Sequence, residues 1–186
     1  SLRTVIKKEG RVGWQRAASY VWQALQGLSA VHARGVLHRD LKPANLMLEP
    51  SPGPVERVVL IDFGFAALEG ASKLTQQGHV VGSLTYLPPE RLRGEAGDER
   101  SDLYAMGVIL FELLAGTPPF VGKDDHELIH LHLTIAAPRV AEVVPGVEVP
   151  PALEVIVEEA LSKDPATRFT SADQMGAAVE AAIRGT

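Results

Sequence analysis

The sequence predicts a mainly α-helical bundle with short β-hairpins that carry polar loops. Apolar residues recur at three- and four-residue steps from Trp14 to Arg34, and the segment from Leu103 to Leu114 is almost wholly apolar; both patterns predict helices. The β-prone runs are short and are separated by proline and glycine. With 186 residues, 46% of them hydrophobic, the chain is long enough for one well-buried domain, which we assign to residues 1–186.

Capping signals support the two strongest helices. Gly35 follows the first helix and is a typical C-cap residue. For the second helix, Ser101-Asp102 is the expected N-cap, Gly116 is the expected stop, and Glu112 is the one charged residue inside it. This pattern predicts a mostly buried helix.

Three further helices are predicted, over about Asp124–Leu133, Ala152–Lys163 and Ala172–Arg184. The last begins with Ser171-x-x-Gln174, a capping-box pattern.

Short strands are predicted at Val36-Leu37, Leu46 to Leu48 and Val58 to Ile61. Prolines and a glycine between the last two runs favour a turn. The stretch from Ile61 to Glu90 is rich in Gly, Ser, Thr and Gln and is too long for an ordinary connection, which indicates either a functional loop or a disordered one.

Composition excludes several classes of protein. A net charge of −5 argues against a surface that neutralises nucleic acid, and the absence of cysteine excludes disulfides and thiolate metal sites. The apolar runs are too short to span a membrane, and the stretch after Ser1 is polar where a secretory signal would need an apolar core. We expect a piece of a longer protein, located in the cytoplasm or forming a cytoplasmic domain.

The segment His38-Arg39-Asp40-Leu41-Lys42-Pro43-Ala44-Asn45 and the later Asp62-Phe63-Gly64 place the chemistry on loops between short strands. Asn45 and Asp62 offer the hard oxygen ligands that Mg²⁺ prefers. Lys42 can neutralise charge on a phosphoryl group, and Asp40 can orient an attacking hydroxyl. Such an arrangement favours phosphoryl transfer.

The joint pattern H-R-D-L-K-x-x-N followed by D-F-G at the end of a strand resembles the protein kinase family. The resemblance covers nearly the whole chain and implies the large, C-terminal lobe of the α+β protein-kinase fold. It implies that Asp40 is the catalytic base, Lys42 the phosphate contact, and Asn45 and Asp62 the Mg²⁺ ligands. Phe63 would be a packing switch, and the Lys42 form of the loop is the serine/threonine type.

Later landmarks extend the resemblance. Gly82 to Glu90 is similar to the family's G-T-x-x-Y-x-A-P-E, which makes Ser83 the hydroxyl that bonds the catalytic Asp and Lys. Asp102 would support the backbone of the catalytic loop, although a simple helix cap is the alternative for Asp102. His38 would be a structural residue of the same loop. Arg168 would pair with Glu90. The Tyr86 to Glu90 segment and the alanine-rich composition are similar to bacterial kinases of the eukaryotic type.

The resemblance also implies regulation by phosphate. Arg39 stands where the family holds a phosphorylated activation segment, with Ser72 and Thr75 as possible acceptors and Thr75 preferred.

Three histidines invite a metal interpretation. His126 and His130 have i, i+4 spacing and His132 follows. With no cysteine nearby, we expect an exposed helix face.

The sequence has no G-x-G-x-x-G loop, so we expect the small lobe to lie upstream and the isolated chain to be weakly active or inactive. The resemblance implies ATP and Mg²⁺ as cofactors and protein Ser or Thr hydroxyls as substrates. Two alternatives remain: a stand-alone lobe that acts as a scaffold or pseudokinase, and a small-molecule phosphotransferase of similar fold.

Overall fold

A computed structural model describes residues 1–52, 56–63 and 84–185 of the chain. The longer helices are α1 (Leu2–Glu9), α2 (Trp14–His32), α4 (Glu99–Ala115), α5 (Asp125–Thr134), α7 (Pro151–Ala160) and α8 (Ala172–Arg184). The short helices are α3 (Pro89–Leu92) and α6 (Val140–Val143), and the strands are β1 (Leu46–Glu49) and β2 (Arg57–Leu60). The mainly α-helical fold class is confirmed.

Helix α4 lies at the centre of the core. Every residue from Asp102 to Ala115 is buried, and the helix contacts α2, α6, α7 and α8. Gly107 has room only for a hydrogen, because a methyl group there would lie 2.7 Å from Ala160 Cβ on α7. The almost continuous apolar composition of α4 follows from burial on all sides.

The predicted N-cap of α4 is wrong. Asp98 caps the helix, and its side chain accepts a hydrogen bond from the backbone N–H of Arg100 at 2.8 Å. Asp102 therefore lies inside the first turns of the helix, where its carboxylate is free for a different partner. An aspartate in either place satisfies the same local pattern, so the sequence did not distinguish them.

The two strands form one antiparallel hairpin, in which Leu46 pairs with Leu60 and Glu49 with Arg57. The strand predicted at Val36-Leu37 is absent from this part of the structure. The backbone N–H of Val36 donates to the Val31 carbonyl of α2 at 3.1 Å, and the next N–H groups, of His38 and Arg39, bond to the carboxylate of Asp102 instead of to a neighbouring strand.

The remaining helix predictions hold to within a few residues. Helix α8 matches the predicted range, and Ser171 caps it by accepting from the backbone N–H of Gln174 at 3.1 Å. Helix α1 was not predicted because it buries only Leu2 and Ile6, too few positions to show a period. In the described part of the chain, no helix combines the length and the apolar character that a membrane crossing requires.

Candidate active site

Asp40, Lys42 and Asn45 meet directly in one loop. Lys42 Nζ donates to Asp40 Oδ2 at 2.7 Å, and Asn45 Nδ2 donates to the Asp40 carbonyl oxygen at 2.8 Å and to Asp40 Oδ2 at 3.2 Å. A 3-10 turn over Pro43–Asn45 reverses the chain and makes these contacts possible. The loop therefore presents an oriented carboxylate, with an ammonium group beside it.

Asp62 is brought to this loop through the residue before it. The backbone N–H of Ile61 donates to the Asn45 carbonyl at 3.0 Å, and the Ile61 carbonyl accepts from His38 Nε2, also at 3.0 Å. Asp62 itself is exposed and has a positive φ of 56°. The left-handed backbone, uncommon for a residue other than glycine, turns the chain sharply away from the strand direction.

The donor set fits a magnesium ion. Both hydrogen bonds of the Asn45 amide nitrogen go to Asp40, which leaves its amide oxygen as the atom able to contact a cation. The Asp62 carboxylate adds a second hard oxygen group. Two protein oxygens suit Mg²⁺, which keeps its other positions for water and phosphate oxygens.

His38 is a neutral structural group behind the site. Its side chain is fully buried, its ring packs on Phe63 with centroids 4.6 Å apart, and Nε2 carries the proton that bonds Ile61. Burial lowers the pKa of His38 from its usual value, so the uncharged ring is favoured near neutral pH.

The carboxylate of Asp102, on helix α4, binds the backbone at the start of the loop. Its Oδ2 accepts from the His38 backbone N–H at 2.8 Å, and its Oδ1 accepts from the Arg39 backbone N–H at 2.9 Å. Arg39 has a φ of 66°, a conformation that these bonds help to maintain, and its side chain is exposed. The carboxylate thus fixes the backbone directly before Asp40.

Sequence reasoning missed His32. Its Nε2 lies 2.8 Å from Asp102 Oδ2, and the side chain is buried at the end of α2. The signal was present, because His32 continues the buried stripe of α2 four residues after Leu28. A polar residue at the end of an apolar stripe indicates a buried hydrogen-bond partner.

A second missed group surrounds Glu112. This carboxylate is buried in α4 and accepts hydrogen bonds from the Tyr86 hydroxyl at 2.6 Å and from Arg3 Nη1 at 3.1 Å. Burial raises the pKa of Glu112 above its usual range. The contact ties the segment around Tyr86 and helix α1 to the central helix.

Glu90 and Arg168 form a buried pair with two hydrogen bonds, at 2.9 and 2.8 Å, and the Ser101 hydroxyl donates to the same carboxylate at 2.7 Å. Burial alone would raise the pKa of Glu90, but the bonds from Arg168 outweigh it and lower the pKa.

The expected exposed histidine face is wrong in part. His126 and His130 are exposed, whereas His132 is fully buried and its Nδ1 is hydrogen-bonded to the Tyr104 hydroxyl at 2.8 Å. The ring also packs edge-on against Phe120.

Three of the predicted functional residues, Ser72, Thr75 and Ser83, lie outside the described residues.

Comparison with known proteins supplies the family. The protein kinase domain model matches residues 1–179. Serine/threonine-protein kinase PknD of Mycobacterium tuberculosis is 38% identical over 183 residues, which are 98% of this chain and 27% of that protein.

Two further relatives agree. PknJ of M. tuberculosis is 40% identical over 172 residues, covering 91% of this chain and 29% of that kinase. Serine/threonine-protein kinase pkn3 of Myxococcus xanthus is 38% identical over 184 residues, covering 97% and 34% respectively. The chain spans about a third or less of the length of these relatives. These three relatives are serine/threonine-protein kinases of bacteria, and the chain belongs to the protein kinase family.

Proposed function

We propose that this chain is the large lobe of a serine/threonine protein kinase that transfers the γ-phosphate of ATP to Ser or Thr hydroxyls of proteins. One observation carries the proposal: the Asp40 carboxylate is held by Lys42 at 2.7 Å and by Asn45 at 3.2 Å, and the residue before the exposed Asp62, Ile61, bonds to the Asn45 carbonyl at 3.0 Å. Oriented carboxylate, ammonium and metal-ligating oxygens are the groups that phosphoryl transfer requires.

In the proposed mechanism, Asp40 accepts the hydrogen bond of the attacking hydroxyl and takes its proton as the new P–O bond forms. The bond between the γ-phosphorus and the β–γ bridging oxygen breaks in the same step, and ADP leaves with its electron pair. Lys42 lies beside that carboxylate and balances negative charge on the transferred phosphoryl group. Asn45 and Asp62 would hold Mg²⁺, which neutralises the charge of the ATP phosphates when bound. Most of the rate enhancement then comes from orientation and charge.

Asp102 supports this chemistry without touching substrate. By fixing the His38 and Arg39 backbone it sets the direction in which the next residue, Asp40, leaves the loop. The proposed enzyme also needs a small lobe, which would cover ATP and exclude water, and Ser83 would add a hydroxyl to the Asp40 and Lys42 pair. Because ATP is an intracellular substrate, we place the reaction in the cytoplasm.

The proposed regulation is phosphorylation at Thr75 or Ser72, with the exposed Arg39 binding the phosphate. Peptide mass mapping of active enzyme should find phosphate between Ala66 and Val81. Active enzyme without phosphate in that segment would remove this part of the proposal.

Asp40→Asn tests the proposed function in the full-length protein. Its kcat for a protein substrate should fall about 10²- to 10⁴-fold with little change in the KM for ATP, because the change removes the proton acceptor and not a nucleotide contact. Asp173→Asn, on the exposed face of α8, should keep the wild-type rate and serves as the matched control. An unchanged kcat in Asp40→Asn would overturn the assignment of Asp40.

A further inference from the structure

Gln23, on helix α2, completes the open edge of the hairpin. Its Nε2 donates to the Glu56 carbonyl at 3.1 Å, and its Oε1 accepts from the Val58 backbone N–H at 3.0 Å. A side-chain amide offers one donor and one acceptor in the same arrangement as a peptide group. Strand β2 therefore has β1 on one side and, in place of a third strand, a glutamine side chain on the other.

One turn further along α2, Gly27 lets the same strand approach the helix. A methyl group at Gly27 would lie 3.0 Å from Leu60 Cδ1, which is closer than side chains normally pack. Glycine inside a helix costs about 1 kcal/mol relative to alanine. The close packing of the Leu60 side chain against the helix explains why glycine occupies position 27.

A third contact fixes the start of β2. The Tyr20 hydroxyl donates to Glu56 Oε2 at 2.6 Å, and Arg16 Nη2 donates to Glu56 Oε1 at 3.2 Å. Tyr20 is fully buried, so the core packing around it holds the hydroxyl that binds Glu56 in place. Successive turns of α2 thus hold β2 from its first residues to its last.

The two proposed magnesium ligands are anchored to different helices. Asn45 belongs to the loop held by Asp102 on α4, whereas Asp62 follows the strand that is seated on α2. Ile61 joins the two parts through its bonds to Asn45 and His38. A shift of β2 on α2 would strain these bonds and change the separation of the two ligands.

We propose that Gln23 and Gly27 are positioning residues for the magnesium ligands Asn45 and Asp62. They act by fixing how β2 packs against α2. This inference rests on the proposed function. Residues behind a metal ligand commonly change metal affinity or activity by 10- to 100-fold when replaced, although they never touch the ion.

The test measures the Mg²⁺ concentration that gives half the maximal phosphorylation rate in the full-length protein. In Gly27→Ala this concentration should rise about 10-fold, while the KM for the protein substrate stays at its wild-type value. Adding Leu60→Val removes the atom that the new methyl group meets and should restore the wild-type Mg²⁺ dependence. Gln26→Ala, an exposed change on the same helix, is the control and should have no effect.

Gln23→Ala should raise the Mg²⁺ requirement in the same way, and the Val58 amide should exchange hydrogen faster than in the wild type. If Gly27→Ala does not fold, Gln23→Glu replaces it in the test. Gln23→Glu keeps the acceptor for the Val58 N–H and loses the donor to the Glu56 carbonyl, and it should also raise the Mg²⁺ requirement.

The outcomes separate the two proposals. A wild-type protein without Mg²⁺- and ATP-dependent phosphorylation would refute the proposed function. An active wild type whose Gly27 and Gln23 variants keep the wild-type Mg²⁺ dependence would overturn the positioning role alone. Equal losses of kcat and protein-substrate affinity without a shift in Mg²⁺ dependence would also overturn it, since they indicate general destabilisation.

Discussion

Arg168 and Glu90, 78 residues apart in sequence, form a fully paired ion bridge inside the protein. Both guanidinium nitrogens Nη1 and Nη2 bond to the carboxylate, at 2.9 and 2.8 Å, and Arg168 Nε bonds the Ser162 carbonyl at 2.7 Å. Such a pair adds little net stability compared with apolar residues, but it fixes geometry. Here it fixes helix α3 to the segment before α8.

Arg168→Ala should lower the free energy of unfolding by about 3–5 kcal/mol, because the Glu90 carboxylate is left buried without its partner. Chemical denaturation of the two proteins at neutral pH measures the difference. Arg184→Ala breaks the exposed bridge to Glu180 and should cost about 0.5 kcal/mol or less. Similar losses of stability in both variants would show that burial does not make the Glu90–Arg168 pair more important than the exposed bridge.

Asp102→Asn should destabilise the protein by about 3 kcal/mol, because an amide cannot accept hydrogen bonds through both of its ends. One of the backbone N–H groups of His38 and Arg39 would then face another donor. Denaturant unfolding and kcat should both report the loss. Asp98→Asn is the matched control, since asparagine caps a helix as well as aspartate does, and it should change stability by less than about 0.5 kcal/mol.

His132 should make the protein less stable in acid. Burial, together with the nearby Lys163 charge, lowers the pKa of His132 to about 4. Between its unfolded value of 6.5 and about 4 the unfolded chain binds the proton more readily, so stability falls as the pH decreases through this window. The shift corresponds to a loss of roughly 3 kcal/mol.

His132→Phe removes the titrating group and tests this pH dependence. The variant leaves the buried Tyr104 hydroxyl without its hydrogen-bond partner and is expected to be less stable at pH 7. Its stability should nevertheless change less between pH 6.5 and 4 than that of the wild type, as followed by denaturant unfolding at each pH. Parallel pH curves would contradict the assignment.

Residues 1–186 in isolation should bind ATP at least about 10-fold more weakly than the full-length protein, because the proposed site covers the nucleotide from one side only. Isothermal titration calorimetry with ATP and Mg²⁺ measures both affinities. Robust ATP-dependent phosphorylation by the isolated residues would refute the need for a small lobe.

Local patterns predicted much of this fold because they need no knowledge of distant residues. The period of α2 and the capping of α8 by Ser171 depend only on residues within a few positions of each other. The residues of the candidate site are also close together in sequence from Asp40 to Asn45, so their meeting in one loop was predictable. Helix α1 was missed because a helix with two buried residues has almost no pattern.

Contacts between distant segments decided the rest. The Val36-Leu37 strand was wrong because Asp102, 64 residues after His38, takes the hydrogen bonds that a strand partner would have made. His132 was expected on an exposed face, but Tyr104 and Phe120 cover it. Neither outcome has a signature within the segment itself.

The sequence by itself determined the longer helices α2, α4, α5, α7 and α8 and the types of chemical group in the loop from Asp40 to Asn45, because periodicity and motif spacing are properties of neighbouring residues. Only the tertiary structure decided how Asp62 reaches that loop, through Ile61, and how α2 and α4 anchor its two parts. The physical reason is that a buried hydrogen bond forms wherever a partner is within reach, and reach is set by the packing of the whole core.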